Sequence, residues 1–220
     1  LAFACGPPGD GDLVPVPVRL HVAEARVGRF PVQRWLDIAA PGQQQAIGLL
    51  TTLLRKGQIP HALVFTGIDG IGKLTAARAF AMACNCTHPQ PLTATRTDLS
   101  PPPEINACGQ CRNCRRILSG NHPDILHIAP SGNMIRIAMI RDLIQRLAMK
   151  PYENGKRVVI ITRSHSMNPE ASNALLKVLE EPPENTLLIL TAQQTMDLLP
   201  TIVSRCQQIR FVPLKHQVMV

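Results

Sequence analysis

HALVFTGIDGIGKLTAARAF, residues 61–80, contains an apolar run (62–66), a glycine-rich break and then Ala-rich helical sequence from Leu74. A buried strand running through Gly67, Gly70, Gly72 and Lys73 into a helix is the P-loop arrangement. Its glycines let backbone N–H groups curl round a phosphate, its lysine supplies a point charge, and the helix N-terminus adds its dipole. The full pattern ends in lysine followed by serine or threonine, whose hydroxyl holds magnesium. Leu74 stands at that place. Thr75 comes one residue late, about 100° round the helix. Two readings of the loop follow. Either Gly67, Gly70, Gly72, Lys73 and Thr75 still hold a nucleotide or phosphate, or the loop is a structural remnant. The missing hydroxyl speaks against magnesium in both.

Outward from this stretch, the 220 residues suffice for one sizeable domain and an appendage. No apolar run approaches the roughly 20 residues of a membrane span. The net charge of +8 suits nucleic acid or acidic partners, or is simply a basic surface. Three of the seven cysteines form a C-x-x-C-x-x-C run, which favours a metal and a reducing, cytoplasmic compartment over disulfides.

Residues 1–30 lack a sustained period and are rich in Gly and Pro. They are expected to be a largely disordered extension, with an extra strand at 14–22 as the alternative. Trp35, Leu36 and Ile38 open the ordered part. Residues 44–56 carry Ile47, Leu50 and Leu54 on one helical stripe, with Gly57 as stop. After the P-loop helix, ending near Asn85, residues 87–107 form a Pro/Thr-rich loop expected to hold no regular element. The cysteine run, a helical 115–119 and the turn at 120–123 complete an insert, 86–123. Strands are predicted at 124–129, 157–161, 186–191 and 207–212, with helices at 136–149, from Pro169 to Pro182, and at 198–204. Asn168-Pro169 is an N-cap followed by N1. Alternating strands and helices predict an α/β fold, a parallel five-stranded sheet covered on both faces. The domain would span 31–212, with 213–220 beginning a linker.

Cys108, Cys111 and Cys114 offer three thiolates, and tetrahedral zinc wants a fourth. Cys86 is the first candidate and Cys84 the second. A closed four-cysteine site would be structural, the competing readings being redox thiols or an iron–sulfur cluster. In a P-loop ATPase the strand at 157–161 would end in carboxylates that orient magnesium and polarise water. Here it runs into Thr162 and Arg163. Together with Leu74 this argues against hydrolysis. Ser204-Arg205-Cys206 precedes the last strand. Its arginine either satisfies its own helix C-terminus or reaches a neighbour's nucleotide as an arginine finger.

These residues carry a family resemblance. HALVFTGIDGIGK, CGQCRNCRRILSGNHPDILHIAP, residues 135–143, SNALLKVLEEPPENTLLILT and Ser-Arg-Cys together resemble the delta-prime branch of the bacterial DNA polymerase III clamp-loader subunits, an AAA+ group, over roughly 35–212. The resemblance implies a zinc-bearing AAA+ fold acting as a stator. It would sit in a hetero-pentameric ring with gamma/tau and delta subunits, its Arg205, with Ser204, completing the ATP site of the adjacent gamma/tau motor. The ring would load the sliding clamp onto primed DNA, touching DNA through its backbone. The gamma/tau motor keeps an Asp-Glu pair where Thr162 and Arg163 stand. The loop between Cys86 and Cys108 looks longer than the family's, and the sequence stops before the family's lid and collar, so this extent of chain is expected to assemble poorly alone. An active gamma/tau-type ATPase is the alternative. A zinc-ribbon nucleic-acid module is another, but it calls for aromatic residues near Arg112, Arg115 and Arg116, and the insert has none.

Overall fold

The computed structural model describes residues 43–91, 105–153 and 155–213. The expectations for residues 1–30, for Trp35, Leu36 and Ile38, and for the linker from 214 onward lie outside the described residues, as does the middle of the insert loop (92–104).

Strands β1 (Ala62–Thr66), β4 (Ile125–Ile128), β5 (Arg157–Ile161), β6 (Thr186–Ala192) and β7 (Gln207–Arg210) form one parallel sheet in the order β4-β5-β6-β1-β7. Their side chains alternate between two cores. Leu63, Phe65, Val158, Ile160, Leu187, Ile189 and Ile209 face helices α1 (Gln44–Lys56) and α2 (Lys73–Asn85). Ala62, Val64, Val159, Ile161, Leu188 and Leu190 face helices α4 (Ile137–Ala148) and α5 (Pro169–Glu180). Strands β1, β5 and β6 are buried along their whole length, so each reads as a nearly continuous apolar run.

Several boundaries follow from local chemistry. Gly57 ends α1 in the left-handed conformation with φ 64°, and its N–H bonds to Leu54 O. Asn168 caps α5 by accepting from the Ala171 N–H at 3.0 Å, with Pro169 at the first helical position. On α4, Ile140, Leu143 and Leu147 are buried, whereas Ile137 and Ile144, expected on the same face, are only half-buried. Arg157 looks out of place in a buried strand. Its guanidinium donates to the carbonyls of Arg146, Leu147 and Met149, closing the C-terminus of α4.

The insert departs from expectation in two ways. Gln90–Pro91 (β2) pairs antiparallel with Ile105–Asn106 (β3), so the Pro/Thr-rich stretch does hold a short ribbon. A two-residue ladder tolerates proline because it needs few N–H donors. The helix α3 (Arg112–Leu118) also starts earlier than residue 115, since Cys111 acts as its N-cap and its sulfur accepts from the Cys114 N–H. The expected short helix at 198–204 shrinks to α6 (Pro200–Val203), because Pro200 sets the first position and a separate 3-10 turn, Thr195–Asp197, precedes it.

One polar side chain closes the far edge. Gln43 donates from Nε2 to Val212 O at 2.6 Å and accepts the Val212 N–H on Oε1 at 2.9 Å. Phe211 then follows β1 through its N–H on Thr66 O, with its ring 5.2 Å from that of Phe65. That contact leaves no room beside Gly67, whose φ is 146°. A Cβ there would meet Phe211 O at 2.7 Å. Gly67→Ala is therefore expected to destabilise the domain by about 2 kcal/mol, from strain plus displacement of the last strand. Urea denaturation checks this, and an unchanged midpoint would count against the contact.

Candidate functional site: glycine loop, cysteine cluster and Arg205

The three regions singled out in the sequence occupy separate places. The glycine loop lies at the C-terminal end of the sheet, between β1 and α2. Gly70 and Gly72 have φ of 82° and 97°, which only glycine adopts freely, and Gly67 N–H bonds to Gln193 O beyond β6. Lys73 is the first residue of α2, with its side chain 7% exposed. Its ammonium donates to Gly67 O, to Ile68 O at 2.9 Å and to Asp69 Oδ1 at 3.3 Å. Asp69 Oδ2 accepts from Gln193 Nε2 at 2.8 Å, and that bond is the main reason its carboxyl lies below the usual range. Leu74 is half-buried and packs against the core, and Thr75 is exposed.

The strand end where acids were sought is now explicit. Thr162 Oγ1 donates to Ile128 O at 3.1 Å and lies 3.3 Å from His127 Nε2. Burial, the largest effect, and then the charge of Arg78 push His127 down to about 4, so it is neutral at pH 7. Arg163 turns left-handed with φ 51°, its N–H on Thr191 Oγ1.

The sulfurs of Cys86, Cys108, Cys111 and Cys114 all lie within 4.8 Å of one another. Three backbone N–H groups point at them: Cys108 to Cys86 Sγ, Cys111 to Cys108 Sγ and Cys114 to Cys111 Sγ, at 3.3, 3.3 and 3.4 Å. Four sulfurs this close, with amides that disperse thiolate charge, fit a tetrahedral ion bonded at ~2.3 Å. The cluster could therefore hold a metal ion. Cys84 is not part of it, and burial raises its thiol to about 12.

The cluster's surroundings were hidden from the sequence. Asn85, the last residue of α2, takes the Lys156 N–H on Oδ1 and the Asn113 amide on its carbonyl. Asp124 accepts the N–H groups of Tyr152 and Glu153, each at 2.9 Å, and Glu153 pairs with Arg116. Tyr152, which precedes Glu153, is exposed. The signal available was Asp124, a buried charge at the foot of a strand, which needs a partner.

Arg205 and Ser204 lie past α6, before β7. Arg205 Nη1 donates to Thr201 O at 2.9 Å, the local helix-end contact, and Nη2 pairs with Glu180 at 2.9 Å. Ser204 Oγ also donates to Thr201 O, at 3.1 Å. Glu180 ends α5 and was not singled out in the sequence.

A glycine loop after the first strand of a β4-β5-β6-β1-β7 sheet, with helices on both faces, defines an AAA+ type P-loop fold. The family model described as DNA polymerase III, delta subunit, matches residues 42–215, and the chain belongs to that family. It is 36% identical to the DNA polymerase III subunit delta' of Bacillus subtilis, over 79% of this chain and 48% of that protein. It is 35% identical to the DNA polymerase III subunit tau/gamma of Haemophilus influenzae, over 76% of this chain and 22% of that protein. A solved DNA polymerase III gamma-subunit-related protein of Thermotoga maritima superposes with a TM-score of 0.54 at 24% identity, over 79% of this chain and 47% of the other, which bears on the fold alone. The chain spans about half the length, or less, of the curated relatives it matches. No helix among the described residues is long and apolar enough to cross a membrane.

Proposed function

We propose that this chain is the nucleotide-binding-type domain of a clamp-loader stator, a delta-prime subunit that does not hydrolyse ATP itself. The observation that carries the reading is the pairing of Leu74 with Thr162 and Arg163. The magnesium hydroxyl is replaced by an apolar side chain packed against the core, and the strand end that should polarise water holds a half-buried hydroxyl bonded to Ile128 O and an exposed cation. The subunit works instead through Arg205 on the adjacent gamma/tau motor, with the delta subunit, the sliding clamp and primed DNA as the other partners. Zinc is the metal of the four-cysteine cluster. It is structural, since four protein ligands leave no position open for water, and it closes an insert with little apolar core of its own. The domain spans 31–212 and works in the cytoplasm, where thiols stay reduced.

The test is ATP turnover in a complex reconstituted with full-length subunits. Lys73→Ala in this chain should change clamp- and DNA-stimulated turnover by less than about twofold, because this loop contributes no catalysis. A large loss on Lys73→Ala would return the chain to the motor class, as the resemblance to tau/gamma sequences would then require.

A further inference from the structure

We infer that the glycine loop is shut by its own Asp69, whose carboxylate takes the place at Lys73 that a phosphate oxygen would occupy. An ammonium has three protons to donate. Here they are met by Gly67 O, Ile68 O and Asp69 Oδ1, all from the loop itself. The lysine side chain is almost fully buried, so its charge has to be answered by something nearby. Asp69 supplies that answer while remaining 55% exposed at the rim, where an incoming anion would arrive.

The carboxylate is also held from the opposite side. Gln193, just past β6, donates to its second oxygen at 2.8 Å, and the carbonyl of Gln193 takes the Gly67 N–H at 2.9 Å. One residue of a neighbouring strand end thus clamps both the first glycine of the loop and its acid. Nearby, the Nδ1 of His165 is buried without a partner among the described residues. Lysine and glutamine converge on one internal anion. A phosphate chain entering the loop must break the Lys73–Asp69 pair and then sit beside the displaced negative charge.

The inference deepens the reading of the loop given above and rests on it for the lack of turnover. Its test is calorimetry of sodium pyrophosphate in magnesium-free buffer against the whole chain, with Asp69→Ala, Asp69→Asn and the double variant Asp69→Ala/Lys73→Ala. The parent chain should bind no better than the double variant. Both single variants should gain roughly tenfold or more in affinity, since each removes the competing charge. Asn keeps the shape and an acceptor for Gln193, so it separates charge from bulk. Equal binding by parent and single variants, no binding by any of them, or a gain in Ala without one in Asn would overturn the inference. Phosphate release from magnesium-ATP by Asp69→Ala would instead remove the non-hydrolysing reading and leave the shut loop standing.

Discussion

Under the proposed arginine-finger role, Arg205→Ala should lower ATP turnover at the adjacent motor site by on the order of 10³-fold, the low end of what an arginine supplied in trans contributes. The expected assay is clamp- and DNA-stimulated hydrolysis by a complex of full-length subunits, with Lys73→Ala as control. Arg205 suits the task because it is both oriented and reachable. Thr201 O and Glu180 hold two corners of the guanidinium, while its side chain remains 36% exposed. Arg205→Lys should not restore activity, since an ammonium cannot reproduce the planar fork. Glu180→Gln should cost far less, because the exposed pair only positions the arginine. Full turnover in Arg205→Ala would leave the side chain as nothing more than the cap of α6 through Thr201.

The second large effect concerns the cysteines. Purified chain should contain about one zinc ion, and Cys114→Ser should reduce this to a small fraction. Cys114 is the demanding position, fully buried in the first turn of α3, where serine would leave a hydroxyl in an apolar site. Metal binding to an insert with little core of its own is folding energy on the order of 10 kcal/mol. Even half of that, at 2–4 °C per kcal/mol for a domain of this size, lowers the melting temperature by about 10 °C or more. Metal analysis with calorimetric melting checks both halves of the prediction. A variant that loses zinc and melts unchanged would show that the insert holds itself together. Cys84→Ser, by contrast, should keep the metal, because that thiol lies outside the cluster.

Buried parallel strands and capped helices were legible because their signals are local. Ala62–Thr66 and Arg157–Ile161 are continuous apolar or nearly apolar runs, and Asn168-Pro169 is a self-contained cap. The five-stranded sheet follows from their alternation with helices. What stayed hidden depends on partners distant in sequence. Nothing near Gln43 announces Val212, 169 residues away, and nothing near Arg157 names the carbonyls at the end of α4. The β2–β3 ribbon escaped notice because proline and threonine suppress the strand signal where only two residues pair. At the candidate site the residue types were readable but not their attachments. The loop's lysine was seen and its partner Asp69 was passed over, and Arg205 was seen without Glu180. Of the two candidates for a fourth sulfur, the geometry brings in Cys86, since α2 ends at Asn85 and frees Cys86 into extended backbone with φ −71° and ψ 126°.

Helix α2 joins the glycine loop to the cysteine cluster as a single strut. Its 13 residues measure about 20 Å, from Lys73 at one end to Asn85 beside Cys86 at the other. A metal held there would be a spectator of any nucleotide chemistry at the loop, but a well-placed one. Asn85 ties the strut's lower end to Lys156 and Asn113, and Gly155 leaves no space for slack, since a Cβ there would lie 2.3 Å from Asn85 Oδ1. Any axial shift of the loop must therefore be transmitted to the thiolates or break this knot. Cobalt in place of zinc, coloured by its sulfur ligands, would turn the far end of the helix into an optical gauge of movement at the near end.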